Sequence, residues 1–151
     1  MLHGLFEQLG LQTRVKTSGS KGMQVYLPLN RQAGYSATKP FARRIDELLE
    51  QRMPKLVVSR MTKRLRPDRV LVDWSQNNGA KTTIAPYSLR GTPEPLVAAP
   101  RTWRELGEPN LRQLSLDEML ARMKRRKDPM AHPVGPAPPP HTLALYRSNR
   151  Y

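Results

Sequence analysis

MTKRLRPDRVLVDWSQNNGAKTTIAPYSLRGTPEPLVAAPRTWREL, residues 61–106, is the stretch whose reading decides the fold. Val70–Trp74 is its strongest strand signal: alternation puts Val70, Val72 and Trp74 on one face and Leu71 and Asp73 on the other. Ser75–Lys81 follows as a polar turn, and Thr82–Leu89 is β-branched and aromatic enough for a second strand. Asn77-Asn78-Gly79 suits a hairpin turn between them. Gly91–Pro95 reads as another turn and Leu96–Ala98 as an edge strand. Thr102 and Glu105 stand at capping-box spacing around Trp103, which marks a helix start.

Outward from this block the pattern switches between helix and strand. Leu2, Leu5, Phe6 and Leu9 recur at helical spacing, with Gly10 as terminator and a short strand at Leu11–Val15. Met23–Leu29 alternates as a strand. Thr38 is placed to cap a helix that runs to Arg52 with Phe41, Ile45, Leu48 and Leu49 on its apolar face, and Pro54 ends it. Leu56–Ser59 is a short strand. Ser115 and Glu118 repeat the capping spacing before Leu116, Met119, Leu120 and Met123, an amphipathic helix closing on Lys124, Arg125, Arg126 and Lys127. Strands interleaved with helices give a mixed α/β class, with a mixed sheet and flanking helices. Residues 1–128 form the domain. Six of the 15 prolines fall in residues 129–140, which read as a linker, and residues 141–151 form a C-terminal segment.

The charge points to a polyanion. The chain has 151 residues and 26 Lys and Arg against 12 Asp and Glu, a net charge of +14. Eighteen of the cations are Arg, whose planar fork suits phosphate, although a GC-rich genome also enriches Arg. No cysteine is present, which removes disulfides and thiolate metal sites and fits the cytoplasm. No apolar run approaches the roughly 20 residues of a membrane span. MLHGLFEQLG lacks the basic start and apolar core of a signal peptide. A soluble, cytoplasmic, nucleoid-associated protein is the expectation.

Four stretches could carry chemistry. Thr17–Gly22, TSGSKG, combines two glycines that free the backbone, the Ser18 and Ser20 hydroxyls, and the mobile charge of Lys21, a set able to cradle a triphosphate. The spacing is not that of a P-loop, and an ordinary flexible loop reads the same way. Asp73, at the end of an apolar strand, needs either an Arg partner or a divalent metal. Ser75–Tyr87 is rich in amides and hydroxyls that position phosphates or bases, with Lys81 among them. Of the basic sets, Arg60–Arg69 is the one expected to face phosphate, while helix-end preference and solvation account for Arg122–Lys127. Two acids separated by one residue occur nowhere, and histidine appears only as His3, His132 and His141. A His-based triad or metal cluster is therefore not expected, and Asp73 alone cannot build a two-metal site.

The order of TSGSKG, a helix and the 61–106 block resembles the polymerase domain of bacterial ATP-dependent DNA ligase D, a member of the archaeo-eukaryotic primase superfamily acting in non-homologous end joining. The similarity runs from about Leu2 to about Met123 and is closest to the actinobacterial, mycobacterial type. It resumes at Leu143–Arg150, where LALYRSNR resembles the domain's closing helix. The pairing of VDWSQN with KTTIAPYSLR is its most specific part.

The resemblance implies a metal-dependent nucleotidyltransferase that adds ribo- or deoxyribonucleotides to a DNA 3′ end at a double-strand break. It implies that Ser18 and Lys21, within the Ser18-Gly19-Ser20-Lys21 loop, contact the incoming triphosphate. Asp73 matches a catalytic, metal-binding aspartate, and Arg66, Gln76 and Arg90 match positions lining the nucleotide site. The cofactor is then Mn²⁺ or Mg²⁺. The partners are DNA ends, nucleoside triphosphates, an upstream polymerase half, a ligase and a Ku-type end-binding protein. The family carries its D-x-D pair, a nucleotide-contacting His and the 5′-phosphate pocket ahead of the TSGSKG motif. This chain is therefore expected to match the C-terminal half of the domain and to have little or no polymerase activity alone. The alternatives are a non-catalytic nucleotide- or DNA-binding module and a truncated gene remnant.

Overall fold

The computed structural model describes residues 1–29 and 32–131. These form two compact units, one taking described residues from 3–30 and 84–137, the other from 31–83. The proposed closing helix at 143–150, and the 129–140 linker beyond its first three residues, lie outside the described residues.

The first unit is built on a three-stranded antiparallel sheet in the order β2-β1-β5: β1 is Arg14–Thr17, β2 Met23–Tyr26 and β5 Pro100–Arg101. Val15 sits opposite Val25 and Arg101, and it is buried. Helix α1 (Leu2–Gln8) precedes β1, buries Leu5 and Phe6, and is capped by Leu9 and followed by Gly10, whose φ of +67° places the glycine in the left-handed region. Both capping boxes form: Thr102 caps α3 (Trp103–Leu106) with Glu105, and Ser115 caps α4 (Leu116–Arg125) with Glu118. Helix α4 buries Met119 in a cluster with Val97 and Ala99, flanked by Tyr87 and Leu114.

Two expectations are corrected. Thr82–Leu89 is not a strand. Only its end pairs: Leu89 bridges Val97, flanked by Ala98 N–H to the Ser88 carbonyl and Arg90 N–H to the Leu96 carbonyl, both at 2.8 Å, and the rest is turn and loop. With no ladder on either side of Asn77-Asn78-Gly79 there is no hairpin there; strand propensity without a partner strand leaves loop. The basic end of α4 is not merely solvated. Arg122 is an ion-pair partner of Glu105, and Arg126 joins it at 2.8 Å. Glu105 is only 4% exposed and Arg122 packs against it with a side chain 12% exposed, while Arg126 reaches it from a side chain still 56% exposed.

The second unit packs α2 (Tyr35–Arg52) against a two-stranded parallel sheet, β3 (Val57–Val58) with β4 (Val70–Leu71). Helix α2 starts three residues before Thr38, on Gly34, and carries Pro40 in its second turn. That proline removes the N–H that would bond the Ser36 carbonyl, which is why the sequence signal points to a later start. Strand β4 stops at Leu71 instead of Trp74, because Asp73 caps a 3₁₀ turn at Trp74–Gln76. None of the described helices is long and apolar enough to cross a membrane.

Helix α2 buries one charge-bearing group completely. Asp46 is 0% exposed, and neither carboxylate oxygen has a hydrogen-bond partner among the described residues. Burial, then the charges of Glu50, Glu47 and Asp73, pushes its carboxyl up from 3.8 to about 7. The unfolded chain releases this proton from about pH 4, while the folded chain keeps it to about pH 7. Stability from this group therefore falls across that window and stays low above it, by at most about 4 kcal/mol. Urea unfolding from pH 5 to pH 8 is expected to show the decline in the parent chain and to lose most of it in Asp46→Asn. An unchanged slope in the variant would rule out Asp46 as its source.

Candidate nucleotide-binding and metal-binding residues

In the first unit the turn between β1 and β2 is the TSGSKG loop. Ser18 organises it: its N–H donates to the Gly22 carbonyl at 2.9 Å, and its Oγ accepts from the N–H groups of Ser20 and Gly22, both at 3.2 Å. Gly19, at φ +71°, is buried, and its N–H donates to Gln113 Oε1 at 2.9 Å. A Cβ there would lie 2.6 Å from the Leu96 carbonyl oxygen and 3.0 Å from Arg90 Cβ. The loop is thus a fixed turn seated on residues 90–98, not an ordinary flexible one. Ser20 is half-buried, and Lys21 projects from the turn exposed. Arg90, also exposed, stands beside Gly19, so sequence positions 18–21 and 90 come together.

Two residues that sequence reasoning missed stand at and beside this loop. Gln113 carries no motif; only the fold brings it to Gly19. Lys16 is completely buried on β1, and its Nζ donates to Gln24 Oε1 at 2.5 Å and to the Ile84 carbonyl at 2.7 Å. Burial, with the charge of Arg90, holds the Lys16 amine below its ordinary range. Its alternation with Val15 in β1 was the only sequence signal, and a buried lysine is not what alternation predicts.

In the second unit Asp73 is half-buried and is not paired with an arginine among the described residues. One of its oxygens accepts from the Ser75 N–H at 3.0 Å and from the Ser75 hydroxyl; the other accepts from Gln76 Nε2 at 3.2 Å. Lys81 donates to the Ser75 hydroxyl from the far side. Burial pushes the Asp73 carboxyl up, but hydrogen bonds from Ser75 and Gln76 and the charge of Lys81 outweigh it, and the group lies below its ordinary value. The result is an ionised, oriented carboxylate. Arg66 is half-buried, donates to the Met61 carbonyl, and leaves its Nε buried without a partner among the described residues.

Whether these residues fit a divalent ion follows from the donor set. Mg²⁺ takes near-octahedral oxygen coordination, from one or two carboxylates with waters and phosphates. Asp73 offers one ionised oxygen ligand. No cluster of three His, Cys, Asp or Glu side chains able to hold a metal exists among the described residues. The fit is one ligand, not a site.

The architecture agrees with a polymerase scaffold. The structure matches that of the polymerase domain from Mycobacterium tuberculosis ligase D, solved in complex with DNA, with a TM-score of 0.81 and 54% identity over 84% of this chain and 44% of that one. The fold is therefore that of a mixed α/β polymerase domain. The profile of the LigD primase-polymerase domain matches residues 1–130, and the chain belongs to that family. It is 51% identical over 146 residues to the multifunctional non-homologous end joining DNA repair protein LigD of M. tuberculosis H37Rv, covering 97% of this chain and 19% of that protein. It is 50% identical over 149 residues to the LigD of Mycolicibacterium smegmatis, covering 99% of this chain and 20% of that one. The chain thus spans about a fifth of the length of these relatives.

Proposed function

We propose that this chain is the part of a LigD-type polymerase domain that grips the incoming nucleotide's triphosphate and contributes one metal-ligating carboxylate during DNA end repair. The Ser18–Gly22 turn carries the reading. Gly19 holds it in one shape, the Ser20 and Gly22 amides converge on Ser18, and Lys21 stands free at its tip. The Ser18 hydroxyl, oriented by those two amides and left with its own proton to donate, and the mobile Lys21 ammonium beside it are donors of the kind a phosphate takes. Arg90 beside the turn adds a second cation for the same phosphates.

Asp73 would be the metal ligand and Gln76 its positioning partner, with Arg66 a further nucleotide contact. A divalent ion bound there would supply Lewis-acid stabilisation of the α-phosphate. What the chain itself does is hold the Asp73 carboxylate deprotonated and aimed, through Ser75, Gln76 and Lys81. Because two further carboxylates are needed for such chemistry, residues 1–151 alone are expected to show little primer extension. The remaining polymerase segments of the family, a ligase and a Ku-type end-binding protein would be its functional partners. A second reading, a module that binds nucleotide or DNA without chemistry, is favoured by the net charge of +14 and the single metal ligand.

Titration with a fluorescent nucleoside triphosphate, with and without Mn²⁺, tests the proposal. Lys21→Ala is expected to weaken binding by at least about tenfold, in line with the roughly 1.5–3 kcal/mol of a hydrogen bond to a charged group. Asp73→Ala is expected to abolish the Mn²⁺ dependence only. Binding that ignores both substitutions would overturn the assignment. Mn²⁺-independent binding that still needs Lys21 would select the non-catalytic reading.

A further inference from the structure

The unit formed by residues 31–83 carries an aromatic and cationic stripe that neither the triphosphate loop nor Asp73 uses. Tyr35, Lys39 and Arg43 recur every four residues along α2 and so share one face. Trp74, the residue after Asp73, lies under the two cations, with Lys39 Nζ 5.8 Å and Arg43 Cζ 5.3 Å from its ring centroid. At the start of the stripe, the Tyr35 ring lies over Gly79, where a Cβ would sit 3.5 Å from it. Tyr35 is nevertheless 54% exposed. Arg43 also pairs with Glu47 at 2.8 Å; its side chain is 60% exposed, and a pair of that kind contributes little.

Packing alone accounts for Trp74 but not for the exposed Tyr35 or for the local charge. Residues 31–83 hold twelve Lys and Arg against five Asp and Glu, so the surface is complementary to a polyanion. A ring open to solvent, spaced along a helix with two cations held on a rigid indole, is the arrangement that stacks a base and meets its flanking phosphates. We propose that this stripe binds a single strand of nucleic acid, with a base on Tyr35 and phosphates on Lys39 and Arg43. The proposal goes beyond the triphosphate site and shares no residue with it.

Fluorescence anisotropy of a labelled 15-nucleotide oligo-dT with the full chain provides the test. Tyr35→Ala is expected to weaken binding roughly tenfold and Tyr35→Phe to leave it nearly unchanged, since stacking needs only the ring. Lys39→Gln with Arg43→Gln is expected to flatten the slope of log affinity against log salt by about 1.4, two phosphate contacts on a single strand. Thermal melts of each variant separate lost binding from lost folding. Lys21→Ala should leave oligonucleotide binding unchanged, and the stripe variants should leave nucleoside triphosphate binding unchanged, so the two proposals fail separately. Unaltered oligo-dT affinity in folded Tyr35→Ala would overturn the stripe assignment. So would equal competition by a matched duplex or by poly-glutamate.

Discussion

Glu105→Ala is expected to lower the unfolding free energy at neutral pH by roughly 3–5 kcal/mol, the usual cost of removing one partner from a buried ion pair. One carboxylate ties α3 to the end of α4. It accepts from the Thr102 N–H at 2.8 Å to close the α3 capping box, from Arg122 Nη2 at 2.9 Å, and from Arg126 Nη1 at 2.8 Å. Glu105 has a side-chain exposure of 5% and Arg122 of 12%, so neither charge has water to fall back on. Burial alone would raise the Glu105 carboxyl; the Arg122 and Thr102 hydrogen bonds overcome it and hold the group at about 2, against an ordinary 4.5. Because the folded value lies below the unfolded one, the stabilisation is complete above about pH 4.5 and disappears as pH falls toward 2. Glu105→Gln keeps the shape without the charge and should recover part of the loss. Urea titrations of both variants at pH 7 check this, and a cost under about 1 kcal/mol for Glu105→Ala would show that Arg122 finds another partner.

Gly19→Ala is expected to cost roughly 2–5 kcal/mol and to weaken triphosphate binding by more than tenfold. Two terms add. A left-handed φ costs a residue with a Cβ about 1–2 kcal/mol, and overpacking a filled space typically costs about 1–3 kcal/mol more. Here the new methyl would meet the Leu96 carbonyl oxygen at 2.6 Å. That oxygen cannot swing away without losing the bond it accepts from the Arg90 N–H at 2.8 Å. The turn would have to lift off residues 90–98, carrying Lys21 with it. Gly22→Ala is the matched control: its Cβ would meet Ser18 Oγ at an ordinary 3.9 Å. Melting temperature and triphosphate titration on the two variants should separate sharply. Equal behaviour would mean that the turn is not seated as described.

Much of the local structure was legible because its causes are local. The spacing of Leu2, Leu5 and Phe6, the apolar face of α2, and the Thr102–Glu105 and Ser115–Glu118 pairs each act within one or two helical turns, and each forms as expected. The glycines and hydroxyls of TSGSKG likewise announce a turn, whose Ser20 and Gly22 amides the Ser18 hydroxyl takes up. Extended segments were less legible. Thr82–Leu89 has strand composition, but a strand exists only where another segment pairs with it, and here that happens only at the Leu89–Val97 bridge. Asp73 was open between an arginine pair and a metal. A third outcome, capping the turn at Trp74–Gln76, also satisfies its oxygens and leaves it aimed.

By itself the sequence determined the mixed α/β class, the capped starts of α3 and α4, the polyanion-seeking charge and the candidate loop and carboxylate, since composition, periodicity and capping are properties of neighbouring residues. Only the tertiary structure decided which distant groups hold them. Gln113 reaches Gly19 across 94 positions, Lys16 reaches the Ile84 carbonyl across 68, and Arg122 reaches Glu105 across 17. It also left Asp46 buried with no hydrogen-bond partner among the described residues. Such pairings depend on which side chains a shared interior removes from water, and spacing along the chain carries no record of that.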